Sequence, residues 1–300
     1  MNISIIGTNG LLATQVGKFC KANNHTVKAF GRSEPKDYEF HTFHKVDLLE
    51  KDFSYDDILD SDIIFYTAGA GIQSNQKDAS SDIYKINTFH PINLSKELDL
   101  KSFTGTLVTF GSCFEIGNNN ESNLFTEEQV VTSMLAVPND YCVSKRLLTR
   151  YVSCQKASTF RHLHLILPTI YGEHESAHRL IPYTIKSLKN KDLMNFTSGV
   201  QIRQYLYVGD IPAIVFDLVK LRENGIINIP GIDTFSVRQV VELIYKFYGL
   251  NVTEDLFGKA ERSDITMLKL QLSGKKINNI LPDANYTQFF DSLKIYDKCL

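Results

Sequence analysis

The chain has 300 residues, 43% of them hydrophobic, and a formal net charge of −2 at pH 7. This is enough apolar material for one large domain or two interlocked lobes, and with no block of Lys or Arg it argues against nucleic acid as a partner. The five cysteines are odd in number and lack CxxC spacing, so they read as reduced thiols of a cytoplasmic protein rather than a disulfide framework. Met1 to Ile6 has no basic region and is too short for a signal peptide. No window approaches a membrane span, so no membrane partner is expected.

Ile3 to Ile6 is a short apolar run that ends at Gly7-Thr8-Asn9-Gly10-Leu11-Leu12-Ala13, and Val16, Phe19 and Cys20 then recur at helical spacing. Strand, glycine turn and helix in this order predict a dinucleotide site, with backbone N–H groups of the turn facing a pyrophosphate at the helix N-terminus. The same turn would also serve as a plain strand–helix connection. His25 to Phe30 predicts a second strand, which closes a βαβ unit. An NAD site would carry Asp or Glu at its end to hold the ribose 2′-OH. This chain has Gly31-Arg32-Ser33 there. An absent carboxylate and a present guanidinium both favour a 2′-phosphate, so NADP(H) is expected, with NAD(H) as the alternative.

His44 to Leu48 predicts a third strand with Asp47 at its tip. Asp62 to Thr67 predicts a fourth, breaking at Ala68-Gly69-Ala70-Gly71, where small residues let a ligand lie against the backbone. The next helix carries Tyr84 and Asn87. Thr106 to Phe110 predicts a fifth strand that delivers Ser112 to the same rim as Gly7 and Gly69, where a hydroxyl can hold a substrate carbonyl oxygen or merely bond its own turn. Asn118 to Asn123 reads as surface loop.

Asn139-Asp140-Tyr141-Cys142-Val143-Ser144-Lys145 opens a long helical run, and Tyr141 and Lys145, four apart, project from one face. An ammonium beside a phenol favours its ionised form, which makes the pair a candidate general acid/base for carbonyl chemistry. An ordinary surface contact has the same spacing. Leu163 to Leu167 predicts a sixth strand, stopped by Pro168. Alternating strands and helices argue a parallel sheet covered on both faces, a Rossmann-type doubly wound α/β fold. Less regular segments come next, with helices near Leu180–Leu188 and Val237–Phe247. Residues 1–168 are expected to form the NADP-binding domain, with strand segments near 205–208 and 226–229 returning to it. Residues 169–300 are expected to form mainly a smaller, interleaved substrate lobe.

Taken together these residues resemble the extended short-chain dehydrogenase/reductases, the NAD(P)-dependent epimerase/dehydratase group that acts on nucleotide-linked sugars. The resemblance runs nearly end to end, on Gly7-x-x-Gly10-x-x-Ala13, Asp47-Leu48, Asn87, Gly111-Ser112 with Gly117, Tyr141-x-x-x-Lys145, Pro168 with Tyr171-Gly172, Arg203 to Asp210, and Arg262-Ser263-Asp264. It implies Tyr141 as acid/base, Lys145 as the group that lowers its pKa and bonds the nicotinamide ribose, and Ser112 as the holder of the substrate oxygen. Cofactor contacts are implied from the Gly7–Leu12 turn, Arg32, Ser33, Asp47, Leu48, Ala68, Gly69, Ala70, Asn87, Pro168 and Ile170. Substrate contacts are implied from Ser112, Cys113, Phe114, Arg179, Arg203 and Arg262, and a homodimer is implied as the assembly.

Where the group's sugar 4,6-dehydratases carry an Asp-Glu pair directly after the Ser/Thr, this chain has Cys113 and Phe114, which cannot shuttle protons between adjacent carbons. Ile116 also replaces the tyrosine common before Gly117. Net reduction of a nucleotide-linked 4-keto-6-deoxyhexose is the resulting expectation. NAD-dependent epimerisation is the alternative, and a catalytically silent cofactor-binding protein of the same fold is a weaker one. His174-Glu175-Ser176-Ala177-His178 matches a zinc-hydrolase pattern that requires both histidines on one helix face. It sits where the family has a substrate-lobe segment, so no metal is expected.

Overall fold

The computed structural model describes residues 1–50, 54–71, 78–156, 158–260 and 266–299. Among these residues the strands are β1 Asn2–Ile6, β2 Thr26–Gly31, β3 Thr42–Lys45, β4 Ile63–Tyr66, β5 Thr106–Ser112 and β6 Arg161–Leu167. After them come β7 Thr169–Tyr171, β8 Ile202–Tyr207, β9 Gly225–Asn228, β10 Asp233–Ser236 and β11 Lys269–Leu270. The helices are α1 Leu11–Ala22, α2 Ser80–Tyr84, α3 His90–Leu100, α4 Glu127–Thr132 and α5 Asp140–Ser153. The second half adds α6 Leu180–Asn190, α7 Ile211–Lys220, α8 Val237–Phe247, α9 Lys275–Ile280 and α10 Phe289–Cys299.

Seven strands form one parallel sheet in the order β3-β2-β1-β4-β5-β6-β9. Strands covered on both faces read as near-continuous apolar runs, which is why β1, β4, β5 and β6 are plain in the sequence. One face packs Ile3, Ile5, Phe65, Val108 and Leu165 against Val16 of α1 and Ile214 and Leu218 of α7. The other packs Ile6, Ile64 and Leu107 against Leu94 and Leu98 of α3. The fold is therefore the expected doubly wound one, and its strand order reverses between β1 and β4, where open α/β sheets bind ligands.

A smaller sheet pairs β8 with β10, β11 and β7. Behind it Tyr171, Tyr205, Tyr207, Phe289 and Tyr296 form an aromatic cluster with Ile181 and Ile185 of α6 and Val240 and Ile244 of α8. Two sequence expectations need correction here. The strand around Tyr205–Val208 belongs to this small sheet and not to the large one, whereas β9 pairs with β6 and interleaves the two halves. Likewise β3 ends at Lys45, so Asp47 lies in the turn after the strand and caps it by accepting the Leu49 N–H at 3.0 Å.

Candidate active site

The C-terminal rim of the large sheet gathers the expected site from β1, β2, β4, β5 and α5. Gly7 leaves β1 at φ +97°, and a Cβ there would stand 2.6 Å from the Ala68 backbone nitrogen, so only glycine lets the β1 turn close against the end of β4. Gly10 differs, since a Cβ there would meet nothing within 4 Å. Gly10 caps α1 without a side-chain hydrogen bond, and no acidic residue stands in the first turn. The N–H groups of that turn are left for an outside acceptor, and the helix dipole favours an anion. These features fit a dinucleotide pyrophosphate.

Thr8 and Asn9 do something the sequence did not reveal, because they pin the loop after β2. Thr8 Oγ1 donates to the Ser33 carbonyl at 2.8 Å, and Asn9 Nδ2 reaches Ser33 Oγ at 3.1 Å and the Glu34 carbonyl at 3.1 Å. The loop that carries Arg32 is thereby fixed beside the glycine turn. Arg32 is exposed, and no hydrogen bond or ion pair among the described residues engages its guanidinium. Leu48 contributes its carbonyl to the His90 ring, and Leu11 and Leu12 face the core below the turn.

Asn87 sits in a π-helical turn, Lys85–Phe89, between α2 and α3, and is 1% exposed. Its Oδ1 accepts the Ala70 N–H and its Nδ2 donates to the Ala70 carbonyl, both at 2.9 Å, and to Ser144 Oγ at 3.0 Å. One buried amide thus locks the small-residue end of β4 to the helix that carries Tyr141. Asn87→Leu keeps the volume but strands these partners, so it is expected to cost about 2–4 kcal/mol in urea denaturation. An unchanged midpoint would remove the clamp assignment.

α5 begins at Asn139, whose Oδ1 accepts the Cys142 N–H at 3.1 Å. Asp140 accepts from Ser80 Oγ at 2.5 Å and Tyr84 Oη at 2.9 Å, which ties the helix start to α2. Tyr141 is half-buried on the rim and Lys145 is buried one turn on. Ser112 ends β5, caps the following 3₁₀ turn Cys113–Ile116, and interacts as a hydrogen-bond partner with the Tyr141 phenol. The three expected catalytic residues therefore converge.

The electrostatics differ from the expectation for an isolated Tyr/Lys pair. Burial raises the Tyr141 pKa above its ordinary value, and the Ser112 hydrogen bond offsets only part of that. Lys145 donates Nζ–H to the Phe110 carbonyl at 2.9 Å and lies 5.9 Å from the Tyr141 ring centre, with its own pKa pushed down by burial and held up by Glu115. The phenol is consequently protonated at neutral pH.

The substrate-side residues divide. Cys113 is buried with its thiol pushed up to about 12 by burial, and the Phe114 ring lies under the Arg203 guanidinium at 5.7 Å. Arg203 is 5% exposed and donates to the carbonyls of Ile202, Met267 and Leu268. Arg179 pairs with Glu175 at 2.9 Å and donates to the Ile170 carbonyl at 2.7 Å. Both arginines thus hold the lobe together through contacts no local pattern signals. Pro168 is buried at the end of β6 and Ile170 packs on the core edge, while Arg262 lies outside the described residues.

The zinc-type pattern does not meet its own premise. Residues 172–178 form turns, His174 has φ +71°, and Glu175 is taken by Arg179 and the Tyr296 hydroxyl. No helix among the described residues is long and apolar enough to cross a membrane.

A switch-point glycine turn facing a Ser–Tyr–Lys set on one sheet rim defines a dinucleotide-dependent enzyme of the extended short-chain dehydrogenase/reductase type. Residues 3–229 match the model of the NAD dependent epimerase/dehydratase family, and the chain belongs to that family. A curated relative, CDP-abequose synthase from Salmonella muenchen, is 27% identical over 114 residues, or 35% of this chain and 38% of the relative, so the match spans well under half the relative's length. Among solved structures, UDP-glucose 4-epimerase from Thermotoga maritima, with UDP-glucose, superposes with TM-score 0.82 at 15% identity, covering 98% of this chain and 97% of the other. The dTDP-glucose 4,6-dehydratase of Bacillus anthracis, in complex with NAD, gives 0.78 at 16% identity, covering 99% and 97%. These structural likenesses show the shared fold.

Proposed function

We propose that this protein reduces the keto group of a nucleotide-linked 4-keto-6-deoxyhexose to the alcohol with NADPH. The observation that carries the reading is the pair of residues directly after Ser112. Cys113 is a buried neutral thiol and Phe114 an aromatic ring, so no carboxylate stands there to take a proton from a neighbouring sugar carbon. The nearest acid, Glu115, is fully buried and turned inward, with Oε1 accepting the Ser112 N–H at 2.7 Å. Dehydration lacks its base, and reduction needs none.

When bound, NADPH supplies the hydride and its two electrons. Ser112 holds the substrate oxygen, and Tyr141 gives that oxygen its proton as the carbonyl becomes an alcohol. The raised pKa of Tyr141 suits this direction, because the reductive step begins from the protonated phenol. The match to CDP-abequose synthase supports a nucleotide-linked sugar as substrate class.

The test is incubation with NADPH and a panel of nucleotide 4-keto-6-deoxysugars. Cofactor oxidation one-to-one with a 4-hydroxy product is expected. NAD co-purifying with the protein, and a product at the substrate's own oxidation state, would replace the reading with epimerisation. Arg32→Ala is expected to weaken NADPH by about 10–100-fold and to leave NADH binding nearly unchanged, as for loss of one charge-assisted contact to a phosphate. Equal losses for both cofactors in a fluorescence titration would reject the 2′-phosphate role.

A further inference from the structure

In the proposed reaction Ser112 and Tyr141 address the same substrate oxygen, so the gap between their hydroxyls has to be held constant. The two residues belong to different elements, the end of β5 and the first turn of α5. α5 is anchored to its neighbours by Ser144, whose Oγ accepts from Asn87 at 3.0 Å and whose carbonyl accepts from Thr88 Oγ1 at 2.8 Å, and by the Asp140 contacts to α2. The turn Cys113–Ile116 that follows Ser112 is gripped by the helix residue next to Lys145. Arg146 Nε donates to the Glu115 carbonyl at 2.6 Å, and its Nη2 donates to the Ile116 carbonyl at 2.9 Å. Ser133 Oγ donates to the same Ile116 carbonyl at 2.7 Å and accepts from Arg146 Nη2 at 3.4 Å. A Cβ at Gly117 would stand 2.7 Å from Arg146 Nη2, so the glycine leaves the guanidinium its place.

We propose that Arg146 is a positioning residue, which sets the distance from Ser112 to Tyr141 by fixing the Glu115 and Ile116 carbonyls against α5. The inference rests on the reductase reading for the use made of that distance. The path from the grip to the hydroxyl is short. Glu115, whose carbonyl Arg146 holds, turns its side chain back so that Oε1 accepts the Ser112 N–H at 2.7 Å. Phe114 N–H of the same turn donates to Ser112 Oγ at 3.3 Å, so a shift of the turn carries the hydroxyl with it. On the other side, Lys145 donates to the Phe110 carbonyl, two residues before Ser112. Successive residues of α5 therefore hold the chain both before and after Ser112.

A guanidinium suits this task. Its planar fork gives two charge-assisted bonds of fixed direction to adjacent carbonyls, where an ammonium on a flexible stem is a single point of attachment. Arg146 acts through Ser112 and not on the reacting atoms. Its loss leaves the Ser144 and Asp140 anchors of α5 in place, so the turn moves and Tyr141 stays.

A double-mutant cycle of Arg146→Gln with Ser112→Ala, with Arg146→Lys as the conservative variant, decides the matter. With a panel substrate that turns over, Arg146→Gln should lower kcat by about 10–100-fold and leave KM within about twofold, as for a reacting contact displaced by up to about 1 Å. Arg146→Lys keeps one of the two bonds and should recover part of the loss. In the Ser112→Ala background Arg146→Gln should change kcat by less than about threefold, since no hydroxyl is left to misplace. Equal losses in both backgrounds would mean that Arg146 acts on the fold or on Tyr141 directly, and would overturn the proposal. A wild-type kcat in Arg146→Gln would do the same. The cycle is also read without substrate, by fluorine NMR with a fluorinated tyrosine in place of Tyr141 alone. Arg146→Gln should move that resonance in the same direction as Ser112→Ala, and should leave it in place in the Ser112→Ala background. A resonance unmoved by Arg146→Gln, or moved equally in both backgrounds, counts against the proposal as the kinetics do. If no substrate turns over in wild type, the reductase reading falls, while the fluorine cycle still decides whether Arg146 acts through Ser112.

Discussion

Tyr141→Phe is expected to lower kcat by about 10³–10⁴-fold, some 4–5.5 kcal/mol of transition-state stabilisation, and to leave the NADPH dissociation constant within about twofold. The substitution removes one oxygen from a half-buried ring and leaves the helix, its Asn139 cap and the Asp140 contacts to α2 in place. Ser112 loses its phenol partner but keeps its place as the cap of the 3₁₀ turn, where it accepts the Phe114 N–H. The defect should therefore appear in the chemical step, read by single-turnover kinetics, with the melting temperature close to wild type. Because the phenol acts in its protonated form, wild-type activity should hold through neutral pH and decline only on the alkaline side, where the proton donor is lost. Wild-type-like turnover in Tyr141→Phe would show that another group protonates the product and would end the Tyr141 assignment.

The large sheet is readable in the chain because parallel strands buried on both faces are rich in apolar residues, as β4 is throughout and β1, β5 and β6 are in the greater part. β3 is an edge strand of four half-exposed or exposed residues, so neither an apolar run nor an alternation marks it. The placement of β8 in the small sheet has a different cause. Its apolar pattern suits either sheet, and the choice is made by β10, β7 and β11, the last of them more than sixty residues away in sequence. Ser112, Tyr141 and Lys145 were legible since each stands at a fixed offset from a recognisable strand end or helix start. The roles of Asn87 and Glu115 were not, because a buried amide or carboxyl acquires its partners only when distant segments fold onto it. Arg203 and Arg179 show the same effect, as their carbonyl and carboxylate partners come from other turns and strands. His162 and His164 alternate with Leu163 and Leu165, and a strict two-residue period places both rings on one face of β6. The first of them precedes the apolar residues Leu163 to Leu167 that mark the strand.

Gly7→Ala is expected to cost about 3–5 kcal/mol of stability, combining strain from a forced positive φ with overpacking of a close backbone contact. At φ +97° the new methyl group would sit 2.6 Å from the Ala68 nitrogen and 2.7 Å from its Cα. Backbone atoms cannot rotate away as a side chain does. Moving β4 aside would break the bonds that close this corner, where Ala68 N–H donates to the Ile6 carbonyl at 3.0 Å and Thr67 Oγ1 to the Gly7 carbonyl at 2.8 Å. Melting should fall by about 5–15 °C for a chain of this size, with cofactor binding lost in parallel. Gly10→Ala separates the two functions of the turn. Its φ is −81° and its Cβ would meet no protein atom within 4 Å, so the fold should lose no more than about 1 kcal/mol, the usual cost of alanine at an N-cap. The methyl would instead enter the space a pyrophosphate needs against the α1 N-terminus, and NADPH affinity should drop by at least about tenfold. Calorimetry on both variants, with and without cofactor, distinguishes a glycine required by the sheet from one required by the ligand. A Gly7→Ala protein that melts like wild type would refute the first assignment, and unchanged NADPH affinity in Gly10→Ala would refute the second.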